Sequence, residues 1–162
     1  MFSASMLLRP SSLILRRFCS GSFIDKAKVA GANALLGQFT SSGRFDRVLT
    51  NLTVDNIEEG RVLCSMPVDE SVQNAFSTLH GGATSTIVDV VGTIALPSLD
   101  PAKPGVSVDL NISFCAAAKA GSTVTVEGTV LKAGRKLGFT QVDIRREDGT
   151  LVASGRHTKA FA

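Results

Sequence analysis

The sequence predicts an α+β domain in which an antiparallel sheet of six strands wraps around one long helix. One strongly apolar helical pattern covers residues 80–96, and six segments with strand-like composition surround it, two before and four after. Strands that follow one another without intervening helices favour antiparallel pairing. Because one helix covers only one face of such a sheet, we expect the remaining apolar surface and at least one edge strand to pair with a second subunit.

Two helices are predicted. In the long one, apolar residues recur at helical spacing, and Pro97 ends the pattern. These residues are Ala83, Ile87, Val90, Val91, Ile94 and Ala95. A short N-terminal helix is predicted over residues 23–38, although Gly31 weakens it.

The six strands are predicted at residues 47–56, 61–68, 106–115, 123–132, 137–146 and 151–160. A turn in "NIEEG" joins the first two, and an Asp-Gly turn in "EDGT" joins the last two. The third strand alternates most regularly, with Val106, Val108, Leu110, Ile112 and Phe114 facing away from Ser107, Asp109, Asn111, Ser113 and Cys115. This alternation predicts a strand that is buried on one face.

Composition is that of one globular domain: 162 residues, 44% hydrophobic and 19% charged. No apolar run reaches the length of about 18 residues that a membrane span needs. The net charge of +3 comes from Arg9, Arg16 and Arg17, because the other 14 basic residues balance 14 acidic ones. A body without excess positive charge gives no electrostatic reason to expect nucleic-acid binding.

The first 22 residues, "MFSASMLLRPSSLILRRFCSGS", are rich in Ser, Leu and Arg and contain no acid. This composition is typical of an organellar targeting segment, here a mitochondrial one with cleavage after Phe18 or slightly later. We therefore expect a single folded domain over residues 23–162 in the mitochondrial matrix. A plastid is the weaker alternative location, and an untargeted disordered tail is the alternative to targeting.

Cysteine and histidine spacing gives no sign of a metal centre. Cys19, Cys64 and Cys115 form no CxxC pair, and the two histidines are 77 positions apart. Cys115 has no neighbouring base in the sequence that would make it a nucleophile. We expect no metal and no redox cofactor. His157, in the last predicted strand, has no obvious partner and is interpreted as structural.

His80, Gly81 and Gly82 mark the start of the long helix. Backbone N–H groups without intrahelical acceptors point outward there, and glycine allows another molecule to approach them. Such a point can stabilise a carbonyl oxygen that is becoming an oxyanion. The simpler alternative is a plain loop-to-helix junction with a buried structural histidine.

Asp89 is the only charged residue on the polar stripe of this helix, which also contains Ser85, Gly92 and Thr93. A solvated polar face is the alternative, but such a face normally has Lys, Glu and Arg. A lone carboxylate among small residues favours the wall of a site, where desolvation would raise its pKa and prepare it as a base or nucleophile. Asp89 follows His80 by nine residues, about 13–14 Å of helix rise. If both serve one site, that site must lie between two subunits.

Four segments together resemble the hotdog-fold acyl-CoA thioesterases, in the branch of the phenylacetate-pathway enzymes. They are "NAFSTLHGGATSTIVD", "GVSVDLNISF", "VLKAGRKLGFTQVDI" and "SGRHTKAF". The resemblance runs from Phe45 to Phe161. One departure is Ser77, where relatives commonly have glycine; it exchanges one small residue for another.

The resemblance implies a role for each matching residue. Asp89 would be the general base or nucleophile that directs water onto the thioester carbon. The Gly81 N–H and the Asn74 side chain would hold the carbonyl oxygen, and His80 would position the thioester. Ser107 would contact the water or Asp89. In the family, the Asn74, His80 and Gly81 positions belong to one subunit, and the Asp89 and Ser107 positions to the other.

The basic segment "LKAGRKLG" could be an ordinary turn between strands, but beside these motifs it becomes the expected site for coenzyme A phosphates. The positions expected to bind coenzyme A are Ser107, Asp109, Phe114, Lys132, Ala133, Gly134, Arg135, Lys136, Leu137 and Phe161. Phe114 and Phe161 could equally be packing residues.

The predicted activity is hydrolysis of medium- or long-chain fatty acyl-CoA to fatty acid and coenzyme A. Coenzyme A would be part of substrate and product, with no separate cofactor. The expected assembly is a homodimer that pairs further into a homotetramer. The alternatives are a hotdog hydratase or dehydratase that acts on acyl thioesters, and a non-catalytic acyl-CoA sensor.

Overall fold

The structure, a computed structural model, describes residues 24–41, 43–99 and 105–161. Its strands are β1 (Thr53–Glu58), β2 (Arg61–Pro67), β3 (Val106–Phe114), β4 (Thr123–Ala133), β5 (Leu137–Arg146) and β6 (Leu151–Ala160). They form one antiparallel sheet in the order β1-β2-β4-β5-β6-β3. The predicted α+β architecture is confirmed, while the predicted targeting segment, residues 1–22, lies outside the described residues.

In the described residues, two α-helices accompany the sheet: α1 (Lys26–Thr40) and α2 (Gly81–Ala95). The α2 helix begins after His80, its N-cap, and passes into a 3₁₀ turn at Leu96–Ser98 that contains Pro97. Both α-helices are 15 residues long, and no helix in the described part of the chain is long and apolar enough to cross a membrane.

The α2 helix is the centre of the core. Ile87, Val88 and Val91 are completely buried, and Ile94 is 1% exposed. Burying a side chain of this size stabilises the fold by about 1.5–3 kcal/mol. The α2 helix packs against β4, β5 and β6, and all six residues of the predicted apolar stripe are buried.

Glycine allows α2 to lie very close to the sheet. A Cβ at Gly155 of β6 would lie 2.6 Å from Val88 Cγ1. On the helix, a Cβ at Gly92 would lie 2.7 Å from Thr140 Oγ1 and 3.0 Å from His157 Nδ1. Both separations are shorter than van der Waals contact, so alanine at either position would force the layers apart.

The N-terminal helix closes one edge of the sheet. The Asn33 side chain of α1 donates from Nδ2 to the Val54 carbonyl at 2.9 Å, and its Oδ1 accepts the Val54 N–H at 2.9 Å. The side-chain amide thus takes the place of a neighbouring strand near the start of β1. Capping an edge in this way protects it from pairing with another chain.

The predicted strand at residues 47–56 is wrong over its first half. Phe45–Leu49 form a 3₁₀ helix, and the strand begins only at Thr53. Successive i+3 hydrogen bonds, including Leu52 N–H to the Leu49 carbonyl at 2.9 Å, bring Leu49 and Leu52 into the core. Propensity could not reveal this because burial of both leucines overrides the strand pattern. The turn is also shorter than predicted, with β1 extending to Glu58 and Gly60 at φ +74°.

The prediction that the strand at 106–115 is buried on one face is wrong for the single chain. Every residue of β3 except Ile112 is exposed. The reason is its place in the sheet, since β3 pairs with β6 on one side and is an edge on the other. Val106, Val108 and Phe114 are 68%, 57% and 60% exposed.

The loop before α2 contains Ser77 in a left-handed conformation, with φ +55°. Its N–H donates to the Asn74 carbonyl at 3.0 Å, and its carbonyl accepts the Ala120 N–H at 2.9 Å, so the backbone is fixed. A residue with a Cβ is strained in this region, whereas glycine is not. The departure from the family's glycine is therefore a change in backbone preference as well as in size.

We expect Ser77→Gly to raise the free energy of unfolding by about 0.5–1 kcal/mol, because it removes this strain. Urea denaturation monitored by circular dichroism measures the change. Ser77→Ala is the matched control, since it keeps the Cβ and should gain nothing. Equal stability of the glycine and alanine variants would contradict the strain interpretation.

Candidate active site

Asp89 lies in the middle of α2, and its side chain is 44% exposed. The Ser107 hydroxyl on β3 donates to Asp89 Oδ1 at 3.1 Å. The predicted contact between these two residues is present within one chain. The carboxylate is thus fixed by a hydrogen bond on one side and accessible to solvent on the other, as expected of a group that binds a ligand.

A β-bulge gives Ser107 this orientation. The β3–β6 register shifts between Ser107 and Asp109, where Ser107 pairs with Lys159 and Leu110 pairs with His157. Directly opposed residues point to the same face of a sheet, so Ser107 lies on the inner face together with Leu110. Strict alternation had put these two residues on opposite faces. Bulges that redirect a side chain are common next to active sites.

His157 completes the cluster, although the sequence suggested only a structural role for it. Its Nε2 lies 2.9 Å from Ser107 Oγ and 3.3 Å from Asp89 Oδ1, and its side chain is fully buried. The sequence did contain one sign of this role, because Gly155 and His157 are two positions apart in β6 and therefore point to the same face of the sheet. What the sequence lacked was the sheet order that puts β6 beside β3.

The hydrogen bonds assign the protons. Because Ser107 donates to Asp89, its oxygen is free to accept from His157, which makes Nε2–H the neutral tautomer. His157 Nδ1 is buried without a hydrogen-bond partner, directly beneath Gly92. This differs from a Ser-His-Asp triad, in which the carboxylate binds Nδ1 and leaves Nε2 to take the serine proton. The arrangement therefore favours Asp89, and not Ser107, as the reactive group.

Burial lowers the pKa of His157 below its usual value of 6.5. The nearby positive charge of Lys159 lowers it further, whereas the carboxylates of Asp89 and Asp109 oppose the change. A buried Nδ1 without an acceptor agrees with this direction, because a second proton there would have no partner. His157 is therefore a neutral hydrogen-bond donor near pH 7.

At the N-terminus of α2, the His80 side chain caps its own helix. Its Nδ1 accepts the Gly82 N–H at 2.8 Å, so the neutral ring has its proton on Nε2, and the residue is exposed. Gly81 is the first residue of the helix, where the N–H has no intrahelical acceptor. A Cβ at Gly81 would lie 3.6 Å from Phe114 Cε1, so the Phe114 ring borders this point.

Asn74 organises the loop that leads to this helix. Its Oδ1 accepts the N–H of Phe76 at 2.9 Å and that of Thr78 at 3.2 Å. Its Nδ2 donates to Thr78 Oγ1 at 2.9 Å. An amide nitrogen has two hydrogens, so a second donor remains for a ligand.

The predicted catalytic residues thus form two groups within the chain. Asn74, His80 and Gly81 surround the start of α2, whereas Asp89 and Ser107 lie about 13 Å further along the helix axis. Among the described residues, no hydrogen bond links the two groups. In the single chain, the predicted site residues therefore lie in two separate groups along α2.

The predicted coenzyme A segment forms the exposed β4–β5 turn, with Lys132, Arg135 and Lys136 all accessible. Its backbone closes through the Gly134 N–H to the Leu137 carbonyl at 2.8 Å. The Phe161 N–H donates to the Lys136 carbonyl at 2.8 Å and attaches the chain end to this turn. The Phe161 ring lies against Gly105 and Gly138, which makes it a packing residue in the single chain, whereas Phe114 stays exposed.

Of the two cysteines in the described residues, Cys115 is exposed and Cys64 is buried, and burial raises the pKa of the Cys64 thiol far above its usual value. No group of three His, Cys, Asp or Glu side chains in this part of the chain is close enough to hold a metal ion.

Comparison with known proteins identifies the family. The sequence profile of the thioesterase superfamily matches residues 76–153. Acyl-coenzyme A thioesterase 13 of Homo sapiens is 45% identical over 121 residues, which are 74% of this chain and 86% of that protein. The chain belongs to the thioesterase superfamily.

Solved structures of this superfamily confirm the hotdog fold. Zebrafish thioesterase superfamily member 2 superposes with a TM-score of 0.80 at 39% identity, covering 87% of this chain and all of that one. The E. coli PaaI protein from the phenylacetic acid degradation operon is 19% identical with a TM-score of 0.68 over 83% of this chain and 96% of that one, a likeness of fold alone.

We expect Gly92→Ala to destabilise this thioesterase by about 1–3 kcal/mol, because the added methyl group collides with Thr140 and His157. Urea denaturation measures the effect. Gly37→Ala in α1 is the control, since a Cβ there meets nothing within 4 Å and alanine favours a helix. If Gly92→Ala were as stable as the parent, the close approach of α2 to His157 would be wrong.

Proposed function

We propose that this thioester hydrolase cleaves medium- or long-chain fatty acyl-CoA to free fatty acid and coenzyme A. Membership of the thioesterase superfamily and the similarity to acyl-coenzyme A thioesterase 13 support the class of reaction. The observation that carries the proposal is the Asp89 carboxylate, fixed by Ser107 and half open to solvent.

In the proposed mechanism, Asp89 acts on water. Ser107 occupies Oδ1 and leaves the rest of the carboxylate for a water molecule, which loses a proton to Asp89 as it attacks the thioester carbon. The C–S bond of the resulting oxyanion then breaks, coenzyme A leaves as its thiolate, and the proton on Asp89 returns to that sulfur. Attack by Asp89 itself is the second possibility. Hydrolysis in ¹⁸O-water distinguishes them, because a nucleophilic carboxylate acquires the label over repeated turnovers whereas a general base does not.

The group of residues at the start of α2 is suited to bind the carbonyl oxygen of the thioester. The Gly81 N–H, the remaining Asn74 Nδ2 hydrogen and His80 Nε2–H are donors at the positive end of a helix. They would stabilise the oxyanion that forms as water attacks, and His80 would also position the sulfur. Because these donors and Asp89 are separated along α2, the working site joins Asn74, His80 and Gly81 of one subunit to Asp89 and Ser107 of the other.

The β3 edge supports this dimer. It is nine residues long and has exposed apolar side chains, and it has no capping side chain comparable to Asn33 on β1 in the part of the chain that the structure describes. Long apolar edges pair readily with another copy, and an antiparallel β3–β3 contact would continue the sheet across two subunits. We propose that two such dimers form a tetramer.

Coenzyme A would bind along the β4–β5 turn. Lys132, Arg135 and Lys136 provide positive charge for its phosphates. The neighbouring contacts would come from Ala133, Gly134, Leu137 and Phe161, and from Ser107, Asp109 and Phe114 of β3. Coenzyme A enters and leaves as part of substrate and product, so no separate cofactor is proposed.

A hydratase or dehydratase and a non-catalytic sensor remain the alternatives, and both leave the thioester intact. We propose the mitochondrial matrix as the location, on the composition of residues 1–22. Import of a full-length fluorescent fusion into mitochondria, lost when residues 1–22 are deleted, tests the location.

We expect Asp89→Asn to lower kcat at least about 100-fold, because it removes the base and keeps the shape of the side chain. Free-thiol release from acyl-CoAs of C2 to C18 and from phenylacetyl-CoA measures the reaction and identifies the chain length. Glu147→Gln is the control, since it removes a carboxylate from the exposed β5–β6 turn.

Thiol release by the parent and the control, but not by Asp89→Asn, is the expected outcome. A parent protein that binds acyl-CoA without releasing thiol would overturn the proposal in favour of the sensor or the hydratase. Full activity of Asp89→Asn would remove Asp89 from the mechanism.

We expect Val108→Asp combined with Leu110→Asp to convert the dimer to a monomer, because the acidic side chains repel one another across the β3–β3 contact. Light scattering after size-exclusion chromatography measures the mass, and thiol release should fall with it. Ile24→Asp is the control, because it adds charge at an exposed apolar residue away from β3. A variant with unchanged mass would exclude β3 as the interface.

A further inference from the structure

Lys159 is a buried lysine behind the site, and the mechanism above does not use it. It is only 6% exposed on the inner face of β6. Its Nζ donates to Thr93 Oγ1 at 2.8 Å, and Thr93 in turn donates to the Asp89 carbonyl at 2.7 Å. Buried lysines are uncommon unless they are paired, so this position requires a reason.

The lysine and the histidine are neighbours on one face. His157 and Lys159 alternate along β6, and both point toward α2, one beneath Gly92 and the other beside Thr93. Burial lowers the pKa of both side chains, and the nearby Asp89 carboxylate opposes that change in each. The same carboxylate would therefore attract a positive charge on either side chain, while two positive charges there would repel each other.

We propose that Lys159 is a positioning residue of this site: its ammonium group, anchored on Thr93, prevents His157 from becoming an imidazolium that would form an ion pair with Asp89. With His157 neutral, the imidazole donates to Ser107, and the carboxylate keeps its charge for water. The proposal rests on the proposed function for its catalytic consequence, but not for its electrostatic part.

Every charged group near His157 enters this balance. Asp89 of α2 and Asp109 of β3 favour protonation, whereas Lys159 of β6 and burial disfavour it. Ser107 and Thr140 complete the polar surroundings; the Thr140 hydroxyl donates to the His157 carbonyl at 3.2 Å. Removing the lysine leaves two carboxylates without an opposing cation, so His157 should take up a proton at higher pH.

The test replaces Lys159 with methionine, which keeps the length and removes the charge. The imidazole NMR signals are followed from pH 4.5 to 8.5 in the full-length protein. The chain has only two histidines, and exposed His80 caps the far end of α2 and acts as an internal reference. Lys119→Met is the matched control, because it removes a positive charge from an exposed surface position.

We expect the His157 titration to move to higher pH in Lys159→Met and to stay in place in Lys119→Met. Because imidazolium then forms earlier as pH falls, the ratio of kcat/KM at pH 8 to that at pH 6 should rise about three- to tenfold. A lysine with a merely structural role would lower activity equally at both pH values and leave the His157 titration unchanged, which would overturn the proposal.

Thr93→Val is the second variant, should Lys159→Met fail to fold. It removes the hydroxyl that anchors the ammonium group and keeps the lysine, so the His157 titration should move in the same direction by a smaller amount. No movement in Thr93→Val would overturn the proposal. If the parent releases no thiol from any acyl-CoA, the proposed function fails, while the NMR titration still tests the electrostatic claim.

Discussion

The close approach of α2 to the sheet is the constraint on which the rest of this molecule depends. Gly92 on the helix and Gly155 on β6 remove the side chains that would separate the two layers. The helix can then bury its branched residues completely and bring Asp89 within reach of groups on the strands. The same contact that stabilises the core therefore assembles the site, and a single methyl group at Gly92 would affect both.

The polar cluster is arranged around that contact in a definite order of donors. His157 donates to Ser107, Ser107 donates to Asp89, and Lys159 supports the helix through Thr93. The two residues of each link are at least 18 positions apart in the sequence, so none of these links is local. Because His157 has no partner for a second proton at Nδ1, the imidazole stays neutral and does not form an ion pair with the Asp89 carboxylate.

The two edges of the sheet are treated differently. Asn33 imitates a strand at β1 and closes that edge with two hydrogen bonds of 2.9 Å. At the other edge, β3 presents apolar side chains on a long strand. This asymmetry agrees with the proposed dimer, because in the described part of the chain β3 is the edge strand without such a cap and could pair with a second subunit.

The sequence by itself determined the α+β class, the limits of α2, five of the six strands to within one residue, and the chemical character of His80, Gly81 and Asp89. These features follow from local periodicity and capping, which a single chain displays directly. Tertiary structure decided the rest. Burial of Leu49 and Leu52 made a 3₁₀ helix of a predicted strand, and a bulge turned Ser107 to the inner face. The partners of His157 depended on β6 lying beside β3, a pairing between residues about 50 positions apart that no local pattern encodes.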